Sequence, residues 1–285
     1  MKAIGVLAKL TFREAIRRRI MLAGLILGVS FLILFTIGFH FILIQVRAAV
    51  AANVPSPGMA RIADVESTNG FVMMGLYAVT FLSIAMAALL GADTLAGEIN
   101  SGTIQTIVTK PIRRSDVVLG KWLGFAGLLG LYLLLMAGGI IASVFFQTGH
   151  TPDNLLTGLS LIYLEALLVM TITLMCSAAF PALATGGIVF GLYGLAFIGG
   201  WIEQFGSIIN NQTAVKIGII TSLIIPSEAV WKRAAFEMQS PLSGILGMSP
   251  FSTISVPSPL MVIYAVSYLV ATLILSIRIF QKRDL

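Results

Sequence analysis

Apolar residues run along this chain in long unbroken stretches, and the charged residues collect in the short segments between them. Six stretches, at about 21–46, 71–92, 120–146, 156–180, 182–202 and 259–279, are each long enough to cross a bilayer core, which takes roughly 20 residues. In hydrocarbon every backbone amide must be paired within its own segment, so runs of this length predict helices rather than strands. The fourth and fifth runs are separated only by Pro181 and its neighbours, which predicts a tight helical hairpin.

Two shorter patterns stand outside these runs. Over residues 2–19, Ile4, Leu7, Ala8, Thr11 and Ala15 recur at helical spacing while Lys9, Arg13 and Arg17 fall on another face. That pattern predicts an amphipathic helix lying in the membrane interface. Residues 203–258 form a long segment before the last run. Its apolar stretch from Ile217 to Ile225, ended by Pro226, is too short to cross. It predicts a re-entrant or surface helix, followed by an amphipathic piece around Trp231 to Phe236. The fold expected is an all-α membrane protein. It has six transmembrane helices, an N-terminal interfacial helix and short re-entrant or surface helices before the last span, with 1–285 forming a single domain.

Composition agrees with a lipid-facing surface: 58% of residues are hydrophobic and 11% charged, against about 25% charged in soluble domains. Mean hydropathy is +0.98. The net charge of +6 raises the question of nucleic acid, but the basic residues sit at the margins of apolar runs, where they orient spans. With six spans, thirteen basic residues fall on the side of the two termini and five on the other. Positive residues mark the cytoplasm, which predicts cytoplasmic termini. The first run is too long for the apolar core of a signal peptide, about 7–15 residues. The single cysteine, Cys176, leaves no intramolecular disulfide and no cysteine metal cluster.

Motifs of chemistry are sparse. Gly120-Lys121 is followed by Trp122 and lacks the upstream glycine of a nucleotide-binding loop. The only histidines are His40 and His150, and no HExxH or GxSxG occurs. No catalytic or metal-ligating residue is expected. Glycine pairs at Gly24/Gly28, Gly120/Gly124 and Gly187/Gly191 permit close helix approach, a signal that arises easily in a glycine-rich apolar chain. Glu165 is the acidic residue deep in an expected span. Its cost there, about 2.5–3.5 kcal/mol on insertion scales, requires that it face protein or water. It is a candidate path-lining or subunit-contact residue, with a protonated or hydrogen-bonded structural glutamate as the alternative.

The segment 93–116 between the second and third runs is the most specific. The second span is expected to continue towards Glu98, with Gly102 breaking that helix. Thr103 caps a short helix bearing Ile104, Ile107 and Val108. Pro111 ends it, and Ser115 caps the third span with Asp116 in its first turn. A short basic helix with an apolar face, held at the membrane surface, suits docking into a groove on another protein. An ordinary basic loop accounts for Lys110, Arg113 and Arg114, but not for Glu98, Gly102-Thr103 and Pro111 together.

This segment resembles the signature of the type-2 ABC transporter permeases: an acidic residue, three residues, Gly-Thr, a helix, Pro, two residues, Arg, and a Gly-Lys opening the next span. Glu98, Gly102, Thr103, Pro111, Arg114, Gly120 and Lys121 match in order and spacing, and the general layout matches along nearly the whole chain. The resemblance implies the transmembrane half of an exporter in the inner (plasma) membrane. Two permease copies, identical or related, would pack with two separate cytoplasmic ATPase subunits carrying the ATP and Mg²⁺; this chain would bind no cofactor. Glu98, Gly102, Thr103, Ile107, Pro111, Arg113, Arg114 and Lys121 would form the coupling surface, joined by the interfacial helix with Lys9, Arg13 and Arg17. Alternatives are a stand-alone channel or secondary carrier, which usually shows several intramembrane charges, an intramembrane enzyme, and an ATPase-driven envelope-remodelling scaffold without transport.

Overall fold

A computed structural model describes residues 2–53, 56–100, 113–240 and 255–283. Of the expected coupling residues, Gly102, Thr103, Ile107 and Pro111 lie outside the described residues. The described residues fold as ten helices. They are α1 (Lys2–Arg17), α2 (Arg19–Asn53), α3 (Pro57–Ala92), α4 (Thr94–Asn100), α5 (Arg114–Thr148), α6 (Leu155–Ala179), α7 (Ala182–Ile208), α8 (Gln212–Ile224), α9 (Ser227–Met238) and α10 (Pro259–Lys282). Six of them, α2, α3, α5, α6, α7 and α10, are long and apolar enough to cross a membrane.

Local chemistry explains the helix ends. Ser56 caps α3 by accepting from the Met59 amide at 3.3 Å, with Pro57 in the first turn. Ser258 and Pro259 repeat the arrangement at α10. Gly149, with φ 68°, ends α5 in the left-handed conformation that glycine adopts at little cost. The expected hairpin forms around Pro181, between Ala179 and Ala182. Spans one and two extend beyond their apolar runs, from Arg19 and from Pro57. The third span differs at its start: α5 begins at Arg114 with Arg113 as its N-cap, and Ser115 lies inside the helix bonded to Asp116 at 3.4 Å rather than capping it.

The central helix is α6, which packs on α3, α5, α7, α9 and α10. Its buried residues Ile162, Leu168, Met170 and Leu174 join Leu76, Val79 and Leu90 of α3 and Leu128, Leu129 and Met136 of α5 in one core. The outer faces of α2 and α10 remain apolar and exposed, as at Leu34 and Leu260. Inside hydrocarbon such faces need no cover.

The segment before the last span departs most from a peripheral loop. Helix α8 has 13 residues, about 20 Å, short of a core roughly 30 Å thick. It lies tightly on α7, where Gly199 and Gly218 leave room for Thr221 and Glu203. After Pro226 the chain bends by 108°, sending α9 back. The amphipathic piece around Trp231 to Phe236 lies within α9. Most of α9 is buried, packed on α6, α7 and α10.

Candidate functional site

The described residues on either side of 101–112 are tied to neighbouring helices. The second span does continue towards Glu98, through a break at Asp93 between α3 and α4. Ser177 of α6 holds that break: its hydroxyl accepts from the Leu95 and Ala96 amides, both at 3.1 Å, and donates to the Ala92 carbonyl at 2.9 Å. Backbone groups freed by the break are thus satisfied from a neighbouring helix. One turn further on, Glu98 meets Lys121 of α5 at 2.5 Å. Lys121 is 5% exposed, so its charge depends on Glu98. On the other flank, Arg113 is exposed. Arg114 donates to the Gln281 and Arg283 carbonyls at 3.1 and 2.7 Å, tying α5 to the end of α10. Arg283 in turn donates to the Ala178 carbonyl at 2.5 Å.

Helix α1 joins the same end of the bundle. Its expected apolar face, with Thr11 and Ala15 buried, packs on α5. Gly120 and Gly124 make the seat. A Cβ at Gly120 would stand 2.5 Å from the Leu7 Cβ, and one at Gly124 would stand 2.7 Å from the Ala8 carbonyl oxygen. Of the three glycine pairs, Gly187/Gly191 has no described residue within 4 Å of an added Cβ, whereas Gly24 and Gly28 receive Met86 and Met136. Lys9, Arg13 and Arg17 remain exposed, beside exposed Val6 and Leu10. Arg18 pairs with Glu14 at 2.7 Å and reaches Asp93 at 3.9 Å. The structure therefore brings Glu98, Lys121, Arg114 and the interfacial helix together at one end.

A second polar centre lies inside the bundle. Glu165 is fully buried, and neither carboxylate oxygen has a hydrogen-bond partner among the described residues. It is not the lone buried charge that the sequence suggested. Glu228 and Lys232 of α9 and Glu203 of α7 are 4%, 3% and 5% exposed. Lys232 pairs with Glu203 at 2.8 Å, and the Ser255 hydroxyl donates to Glu203 at 2.5 Å. The Tyr77 hydroxyl donates to Glu228 at 3.3 Å, and the other Glu228 oxygen is unpartnered among the described residues. Sequence reasoning missed Glu203, Glu228 and Lys232 because they stand in a polar stretch that reads as an outer loop. The hydrophobic spacer Ala229-Val230-Trp231 and the bend at Pro226 are the signal that α9 turns inward.

Among the described residues, six helices long and apolar enough to cross a membrane, opened by an amphipathic helix and carrying a sharply bent helix pair before the last of them, define the class: a multi-pass membrane protein. The chain belongs to the ABC-2 family of transporter proteins, whose family model matches residues 6–285. Its relatives include the uncharacterized protein YhcI of Bacillus subtilis, 27% identical over 44% of either chain. A probable ABC transporter permease protein NosY of Pseudomonas aeruginosa is 32% identical over 28% of this chain and 29% of that one. The NosY of Stutzerimonas stutzeri is 37% identical over 21% of each. This chain spans less than half the length of each of these curated relatives.

Proposed function

We propose that this chain is the transmembrane permease subunit of an ATP-driven exporter, energised by a separate cytoplasmic ABC ATPase that carries the ATP and Mg²⁺. The observation that carries the reading is the shared anchorage of α1, α4 and α5. The Glu98–Lys121 pair and the Gly120/Gly124 seat join both flanks of the 101–112 segment to the basic helix at one end of the bundle. A push on such an end passes to α3 and α6 through packed side chains and the Ser177 bonds. In this reading the basic end faces the cytoplasm, the membrane is the inner (plasma) membrane, and a second permease copy, identical or related, completes the transporter. The coupling surface comprises Glu98, Gly102, Thr103, Ile107, Pro111, Arg113, Arg114 and Lys121, with Lys9, Arg13 and Arg17 contributed by α1.

The test is purification of the tagged chain in mild detergent from its native host, alone and as a Lys9→Glu, Arg13→Glu, Arg17→Glu triple variant. All three side chains are exposed, so the fold should be kept. A stoichiometric ABC ATPase that accompanies the native chain and is lost from the monodisperse triple variant supports the reading. A native chain that purifies with no ATPase overturns it.

A second reading, a self-contained carrier, draws on one observation. Four buried ionisable groups, Glu165, Glu203, Glu228 and Lys232, stand where one was expected, and intramembrane charges mark ion or proton paths. Transport by the purified chain in proteoliposomes without nucleotide, driven by an ion gradient, would favour this reading over the first.

A further inference from the structure

Beside the buried acidic centre, a groove opens to the membrane-facing surface between α2, α3 and α7. Its volume is about 530 Å³, within the range of small-molecule sites, and its walls include Leu27, Phe31, Met74, Tyr77, Phe81 and Phe197. The exposed parts of that wall are almost wholly apolar, so a hydrocarbon chain fits it better than water. Tyr77 is where the groove meets the polar interior, because its ring lines the groove while its hydroxyl reaches Glu228. The same ring lies 4.9 Å from that of Trp231 and 6.3 Å from that of Phe197, centroid to centroid. Phe197 stands 6.3 Å from Trp201. Aromatic faces grouped beside carboxylates are what recognise ammonium groups, above all quaternary ones.

The charges point the same way. Three buried carboxyl groups, Glu165, Glu203 and Glu228, face one ammonium, Lys232, and that ammonium is held by Glu203. Glu165 and one oxygen of Glu228 accept no hydrogen bond among the described residues. A buried carboxylate without a partner is costly, and an arriving cation offsets that cost. We propose that the groove between α2, α3 and α7 binds an amphipathic cation, its hydrocarbon chain against Phe31, Met74 and Phe81 and its ammonium head at Tyr77, Trp231 and Glu228. The site does not depend on ATP coupling.

The experiment uses the full-length chain in a nonionic maltoside detergent, without nucleotide or ATPase, so its outcome is separate from that of the permease test. A brominated dodecyltrimethylammonium and a maltoside with the same brominated chain are titrated while tryptophan fluorescence is followed. The proposal expects saturable quenching, with the cationic probe binding about tenfold tighter, the equivalent of roughly 1.4 kcal/mol. Glu228→Gln should remove the preference and leave the maltoside unchanged. Ala78→Phe, which fills the wall of the groove, should abolish binding of both. Should Glu228→Gln fail to fold, Glu165→Gln takes its place and is expected to weaken the cationic probe alone. Equal affinities for the two probes overturn the proposal. So does a cationic preference that survives removal of the carboxylate, as expected if the groove serves only a second permease copy or plain lipid. Quenching untouched by Ala78→Phe places the probe elsewhere and overturns it as well.

Discussion

Glu98 and Lys121 form an ion pair at 2.5 Å, 23 residues apart in sequence, and this pair ties α4 to α5. Lys121 is buried, so the two partners are not equivalent to surface charges. Removing one partner of a buried pair costs about 3–5 kcal/mol, whereas replacing both by apolar groups is often neutral. Lys121→Met should therefore lower the unfolding temperature sharply. The double change Glu98→Leu with Lys121→Met should restore most of the loss, and, if the proposed ATPase coupling holds, leave that coupling impaired. Thermal unfolding followed by size-exclusion fluorescence measures the first effect, and nucleotide-driven activity the second. A double variant as unstable as the single one would show that the pair does not act as a unit.

The seat of α1 makes a separate prediction. A Cβ at Gly124 would meet the Ala8 carbonyl oxygen at 2.7 Å, and backbone cannot yield as a flexible side chain does. Gly124→Val should lift α1 off α5. A cysteine placed at Leu7 should then react several times faster with a membrane-impermeant maleimide. Gly5→Ala is the control, because no described residue stands within 4 Å of a Cβ added there. It should leave labelling unchanged and stabilise α1 by about 0.5–1 kcal/mol, the usual gain of alanine over glycine inside a helix. Unaltered labelling in Gly124→Val would remove the glycine seat from the account.

Much of this architecture is written in local pattern. The six spans are long apolar runs, the hairpin sits at Pro181, and the buried face of α1 is the one that Thr11 and Ala15 mark. What escapes local reading depends on partners far along the chain. Ser227, Glu228, Lys232, Arg233 and Glu237 give α9 the composition of a surface helix. It is buried because Glu203 and Tyr77, from other helices, supply partners for its charges. Ser177 likewise looks like an ordinary small residue of a span until the break at Asp93 presents the amides it accepts from. Glycine pairs carry the same ambiguity: Gly120/Gly124 is a helix seat and Gly187/Gly191 is open among the described residues, yet their sequences look alike.

The pair between Lys232 and Glu203 joins α9 to α7 at 2.8 Å with both groups buried. Lys232→Met leaves Glu203 with the Ser255 hydroxyl as its remaining recorded donor. The expected cost is again about 3–5 kcal/mol. Because α9 packs on α6, the loss should appear as loosening of the bent α8–α9 pair. A protease site inserted near Asn211, in the exposed turn between α7 and α8, should become easier to cut. Glu203→Gln in the same background should recover part of the stability, since a neutral amide can be buried more cheaply than an unpaired carboxylate. Equal protease resistance in all three chains would mean that packing, not the ion pair, holds α9 in place.

Glu165 tests whether a costly group is retained for a purpose. Its carboxyl is fully buried and makes no hydrogen bond among the described residues, so the folded chain loses the hydration of that group without recorded compensation. Replacing it by a side chain of similar length and no polar atoms should remove that loss. Glu165→Met is therefore expected to raise stability by about 1–3 kcal/mol, the desolvation cost of an unsatisfied polar group. Most substitutions in a packed core move stability the other way, which makes the sign informative. A rise in unfolding temperature together with loss of transport would mean that the acid is kept for function. A rise with transport intact would make Glu165 a tolerated structural residue. A fall would show that the carboxyl has a partner holding it in place, and the reading of Glu165 and Glu228 as carboxyls in excess would then fail.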